Sequence, residues 1–177
     1  VYTQKRRIDG GVSVSISGAS LTTEDRGISR IDDGQAFTYS SGAELSAGQM
    51  WEMWLQSPAA VSATVLLQWR ATGSFILNIY ENATPTGAYT TVTAANLNRN
   101  NSSPASTVIR FSDTQAASLG LHIFNQIIDA PESMPFQPVW NTHQMVLKTG
   151  QEDYLLRFYN DDTILGRVVA QLIIQEA

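Results

Sequence analysis

Short runs in which apolar and polar residues alternate, cut apart by turn-forming segments, set the strongest limit on how this chain folds. Val12, Val14 and Ile16 alternate with Ser13, Ser15 and Ser17, the period-two pattern of a half-buried strand. Met50–Gln56 sets Trp51, Met53 and Leu55 on one face and Met50, Glu52 and Trp54 on the other. Ser62–Arg70 aligns Val65, Leu67 and Trp69, and Phe75–Glu81 aligns Phe75, Leu77 and Ile79 with Asn78 and Tyr80 opposite. Shorter or weaker runs cover Ala36–Tyr39, Thr90–Ala94, Thr107–Phe111, His143–Leu147, Asp153–Tyr159 and Gly166–Ile174. The last is apolar on both faces, with Val168, Ala170, Leu172 and Ile174 against Val169 and Ile173. That pattern points to a central strand or to an oligomer interface.

Ala116–Ile128 is the one segment whose period is ambiguous. Ala116, Leu119, Ile123 and Ile127 fall at helical spacing, but Gly120 weakens a helix and every neighbouring segment reads as strand, so a strand is expected over Leu119–Ile127. Ala71–Ser74 contains Gly73 and reads as a hairpin turn. Ala19–Gly34, with few apolar residues, reads as a long loop, and Asn96–Pro104 is too rich in Asn and Ser for a regular element. About ten strands with no long helix describe an all-β protein, an antiparallel jelly-roll-like β-sandwich. The expected organisation is an N-terminal basic arm over residues 1–10 and a single sandwich domain over residues 11–177.

A chain of 177 residues buries roughly 70% of its unfolded surface and needs no covalent staples. It has no cysteine, which removes disulfides, thiolate zinc sites and thiol nucleophiles and suits folding in a reducing cytoplasm. No run approaches the ~18 apolar residues of a membrane span, and the first residues lack the apolar stretch of a signal peptide. The net charge of −5 argues against nucleic acid as a partner. The charge is uneven: residues 1–30 hold five basic and three acidic residues, and the remainder six basic and thirteen acidic. Lys5, Arg6 and Arg7 therefore form a basic cluster suited to an acidic surface.

Side chains that could carry chemistry are scattered. His122 and His143 have no close ligand partners in sequence, and a zinc site needs about four. The acid pairs Glu24–Asp25, Asp32–Asp33, Glu152–Asp153 and Asp161–Asp162 read as solvated turns, since a calcium loop spaces its acids at alternate positions. Glu52 and Glu81 are the acids inside strong strands and so the only pair a glycosidase could use. Neither a nucleophile elbow nor a phosphate loop is present, so no catalytic residue, cofactor or metal is expected. Trp51 and Trp69 fall in phase with core aliphatics, whereas Trp54 and Trp140 could serve a sugar-stacking platform.

Asn96, Asn98, Asn100 and Asn101 surround Arg99. Asn tolerates left-handed backbone and hydrogen-bonds neighbouring peptides, so these residues point either to a shaped, self-bonded loop presenting Arg99 or to a loop that merely closes two strands. With Asn78, Tyr80 and Glu81 before it, and Gly150, Tyr154, Leu155, Leu156 and Arg157 after it, this segment resembles a group of small virion structural proteins of tailed bacteriophages. The likeness runs from about Met50 to the C-terminus. Leu97 stands where that group often has Arg, and the first ~45 residues have no counterpart. The resemblance implies a non-enzymatic capsid decoration or cement protein on the outer head surface, made in the host bacterial cytoplasm. Its partner would be the major capsid protein, its state a homotrimer or homodimer, and its contacts Lys5, Arg6, Arg7 and Arg99. The alternative is a carbohydrate-binding module on a phage fibre or spike.

Overall fold

The computed structural model describes residues 4–8, 12–17, 20–25, 30–84, 89–112, 118–129 and 141–177, with side chains described for 30–84, 89–111, 118–128 and 141–177. Three short strands come first: β1 (Gln4–Ile8), β2 (Val12–Ser17) and β3 (Ser20–Asp25). They form an antiparallel sheet in the order β1-β2-β3. Its register sets Ile8 beside Val12, Arg6 beside Val14 and Ile16 beside Leu21. The segments read as an aperiodic arm and a long loop thus contain strands, because backbone pairing to Val12–Ser17 supplies order that their own sequences do not signal.

Eleven strands follow: β4 (Ala36–Leu45), β5 (Met50–Gln56), β6 (Ala63–Ala71), β7 (Ser74–Glu81), β8 (Thr90–Val92), β9 (Ala95–Asn96), β10 (Val108–Ser112), β11 (Leu121–Asp129), β12 (Asn141–Leu147), β13 (Asp153–Asn160) and β14 (Gly166–Glu176). They build a five-stranded sheet, β12-β6-β14-β4-β9, and a six-stranded sheet, β11-β7-β13-β5-β10-β8. Without the β8–β10 insertion the chain changes layer at every step except β7 to β11, which pair within one sheet, giving β12-β6-β14-β4 over β11-β7-β13-β5. That order is the jelly roll, two Greek keys folded into a sandwich. No described helix is long and apolar enough to cross a membrane.

The expected hairpin at Ala71–Ser74 is not one. β6 and β7 lie in different sheets, so Thr72 and Gly73 carry the chain across the sandwich. A short Gly-containing gap signals reversal of direction, but it does not say whether the chain returns to its own layer. β4 also runs to Leu45 rather than stopping at Tyr39, through residues without apolar alternation. Ten register pairs with β14 hold it there. β14 is central in its sheet, with Val168, Ala170, Leu172 and Ile174 buried and Val169 and Ile173 half-buried on the outer face. Of the ambiguous segment, residues 121–128 belong to strand β11, while Ala116 lies outside the described residues. Gly120 before the strand has φ +67 and lies so close to the Glu81 carbonyl that a Cβ would overlap it.

Aromatic rings join the layers. Trp69 of one sheet meets Phe158 of the other edge-on at 5.4 Å, and Phe158 stacks on Trp51 at 5.2 Å. Phe111 continues the chain of rings from Trp51 at 5.8 Å to Tyr39 at 5.4 Å. Leu67, Leu77, Leu156 and Leu172 are fully buried around them. Trp69→Ala is expected to lower unfolding free energy by about 3–5 kcal/mol, read from urea midpoints, because the rigid sheets cannot close on the void.

Candidate functional site

The Asn-rich segment and its neighbours sit at the end of the sandwich where β9 leads towards β10. Asn96, buried at the end of β9, donates from Nδ2 to the Gly34 carbonyl at 2.9 Å and to the Ser103 carbonyl at 3.3 Å. Its Oδ1 accepts from the Asn98 amide at 2.9 Å. Asn98 repeats the motif, accepting from the Asn100 amide at 3.0 Å and donating to the Asp32 carbonyl at 2.9 Å. Asn101 accepts from the Ser103 amide at 2.9 Å. Its side chain also fills the space beside Gly34, where φ is +72 and a Cβ would collide with it. Three Asn side chains thus fold the loop on itself and bind it to residues 32–34. Arg99 and Asn100 stand exposed at its tip, and Arg99 has no hydrogen-bond or ion-pair partner among the described residues. A cleft of about 230 Å³ beside it is lined by Thr93, Ala94, Asn96, Arg99 and Asn101–Pro104.

A buried carboxylate stiffens the same end. Glu176 accepts the amides of Ser106 at 2.9 Å and Thr107 at 2.6 Å, while Arg30 donates to its carbonyl. These contacts tie the last strand to the segment entering β10. The sequence offers no signal for them, because the partners lie about seventy and one hundred and forty-six residues apart.

Polar side chains also lie on the outer face of the six-stranded sheet. Arg157 of β13 contacts Glu52 Oε1 of β5 through Nε at 2.7 Å and Nη2 at 2.6 Å. Glu52 is 2% exposed, and burial raises its pKa above the ordinary carboxylate value despite Arg157. Beside it Trp54 packs with Ala83 and Leu155, half-covered by Tyr80 and Leu119. Glu52 Oε2 and Trp54 Nε1 have no hydrogen-bond partner among the described residues. Arg110 bonds Gln56 at 2.9 Å and approaches Asp153 at 3.7 Å, its guanidinium over the Tyr89 ring.

Glu81, the other candidate acid, points into the sandwich and pairs with Lys148. Glu52 and Glu81 lie on opposite faces of one sheet. Their register, through Arg157 and Asn78 with three further residues along β7, separates their Cα atoms by roughly 14 Å at ordinary strand spacings. A glycosidase pair needs its carboxyl groups roughly 5–9.5 Å apart on one cleft, so the structure does not assemble that pair.

His122 is exposed and lies against Tyr80, while His143 stacks on Phe124 at 3.8 Å. No group of three or more potential metal-ligating side chains gathers among the described residues. Trp51, Trp54 and Trp69 are all buried, and Trp140 lies outside the described residues. Lys5, Arg6 and Arg7 are on β1, where side chains are not described. No family of known proteins, curated protein or solved structure matches the chain.

Two outcomes follow. Asn96→Ala removes three hydrogen bonds at a buried position and is expected to cost about 2–3 kcal/mol in urea unfolding. Burial pushes the His143 pKa below 6.5, so the unfolded chain binds the proton more tightly than the folded one. His143 therefore adds stability as pH rises from the lowered folded value to about 6.5, and this is lost on acidification. The rise between pH 5 and 7.5 is expected to shrink in His143→Gln, measured by urea midpoints against the parent chain.

Proposed function

We propose that this protein is a non-enzymatic structural component of a tailed-phage virion that binds the outer surface of the head and stabilises the shell. The observation that carries the reading is the Asn96–Ser103 loop. It is bonded to itself and to residues 32–34, and it presents Arg99 exposed, without a partner among the described residues. A preorganised cation binds an acidic surface without the cost of ordering a loop. The jelly roll adds support by analogy, since viral capsid proteins use it, although lectins do too. The loop and the Tyr154–Arg157 strand are also the segments through which the chain resembles phage virion proteins.

The mechanism is adhesion to the major capsid protein. Each copy bridges neighbouring shell subunits, and because it binds only the assembled shell, mass action favours that state. Lys5, Arg6 and Arg7 provide a second basic contact, and copies associate as a homodimer or homotrimer. The sugar-binding alternative depends on exposed aromatic faces. Three of the four Trp are buried, and Tyr89, the exposed large aromatic among the described residues, lies under Arg110.

Co-sedimentation with heads assembled without the protein tests the reading. Saturable binding is expected, with at least about tenfold weaker affinity for Arg99→Glu and for the Lys5, Arg6 and Arg7 reversal to Glu, and a steep loss with added salt. Absence of binding to any head overturns the proposal. Unchanged affinity in both variants overturns the assigned contacts.

A further inference from the structure

The two sides of the sandwich are finished differently. On one side the sheets end in β8 and β9, strands of three and two residues. On the other, among the described residues, they end in β11 and β12, of nine and seven residues. Short edges are a common protection against unwanted pairing, as are Lys, Pro and other charges on an edge strand. β11 and β12 contain no Lys, Arg or Pro, and their only charged residue is Asp129 at the end of β11. They are also coupled to each other: Phe124 stacks on His143 at 3.8 Å, and Gln126 bonds Asn141 at 3.1 Å. Of the seven exposed large apolar residues among the described residues, four lie on these strands, namely Leu121 (62% exposed), Ile123 (42%), Ile127 (58%) and Val146 (68%).

We infer that this side of the sandwich is an interface between two copies of the chain, in which β12 pairs antiparallel with β12 of the second copy. An edge strand pairs with itself about a two-fold axis with every backbone donor meeting an acceptor, and such an isologous contact closes. The charge pattern selects the same occupant. The chain carries −5 overall, yet β12 has no Asp, Glu, Lys or Arg, so a charged partner finds no fixed charge there and, with His143 neutral, two identical strands meet without like-charge repulsion. Pairing would join the two five-stranded sheets into one continuous sheet. It would also bring the aliphatic residues of β11 against the second copy. The register shift between His122 and Phe124 leaves Ile123 without a register partner on β7, and it is 42% exposed. The inference specifies the homodimer within the proposed function but does not depend on shell binding.

The lack of native cysteine makes the test direct. Gln144 is the middle residue of β12 and is exposed. On the two-fold axis it faces its own copy, with Cα atoms about 4.5–5.5 Å apart, inside the range that a disulfide bridges. In the full chain, Gln144→Cys is expected to oxidise to a covalent dimer, whereas Gln68→Cys, on the inner strand β6 of the same sheet, stays monomeric on a denaturing gel. Sedimentation velocity is expected to show a dimer that Val146→Lys weakens by about tenfold without lowering the thermal midpoint of the monomer. A parent chain that sediments only as monomer overturns the inference. So does a dimer that Gln144→Cys fails to cross-link and Val146→Lys leaves intact. Head co-sedimentation reports separately on the shell-binding proposal.

Discussion

The aromatic bridge between the sheets holds the rest of the molecule in place. No described strand of the sandwich pairs with the next described strand in sequence, so no hairpin among the described residues fixes the fold before the layers meet. Trp69, Phe158, Trp51 and Phe111 span the interior in one contiguous run of rings. Burying them removes apolar area from water at roughly 25 cal/mol per Å². That gain offsets the entropy of closing many long loops. A topology with this much non-local pairing folds slowly compared with helical proteins of similar size. Its native state, in turn, presents two rigid sheets on which loops can be set.

The Asn loop shows what such a scaffold permits. Its hydrogen bonds are weak one by one, but Asn96 is buried between the last turn before β4 and the segment leading to β10. Glu176 anchors the same region from the far end of the chain by accepting two amides. The loop is thereby held from both sides, which lets an exposed Arg99 stand in a defined position. The Glu52–Arg157 pair follows a different logic. Taking both charges out of water costs more than a surface pair, and the raised Glu52 pKa shows that burial outweighs the attraction of Arg157. The pair links β5 to β13 on the outer face of the sheet at a desolvation cost.

Local sequence was informative where burial on one face imposes a period of two. The alternation in Met50–Gln56, Phe75–Glu81 and Asp153–Tyr159 placed those strands to within a residue, and their inward residues are the core. Trp51 and Trp69 were legible as core for the same reason. The strands β1 and β3 and the outer half of β4 were not legible, since their sequences carry little alternation and pairing with a neighbour holds them. The Asn cluster could be read as a shaped loop from its composition, yet its attachments to Gly34 and Asp32 could not.

What the sequence by itself determined was the class of structure and the inward face of each strong strand, because side-chain direction along a strand is a local property. Tertiary structure alone decided which strands became neighbours. It placed Glu52 and Glu81 on opposite faces, sent the turn at Gly73 between layers, and made β11 and β12 the long edges of the described sheets while β8 and β9 closed the other side. Register and layer assignment depend on contacts between residues far apart in the chain, and strand periodicity carries no record of them.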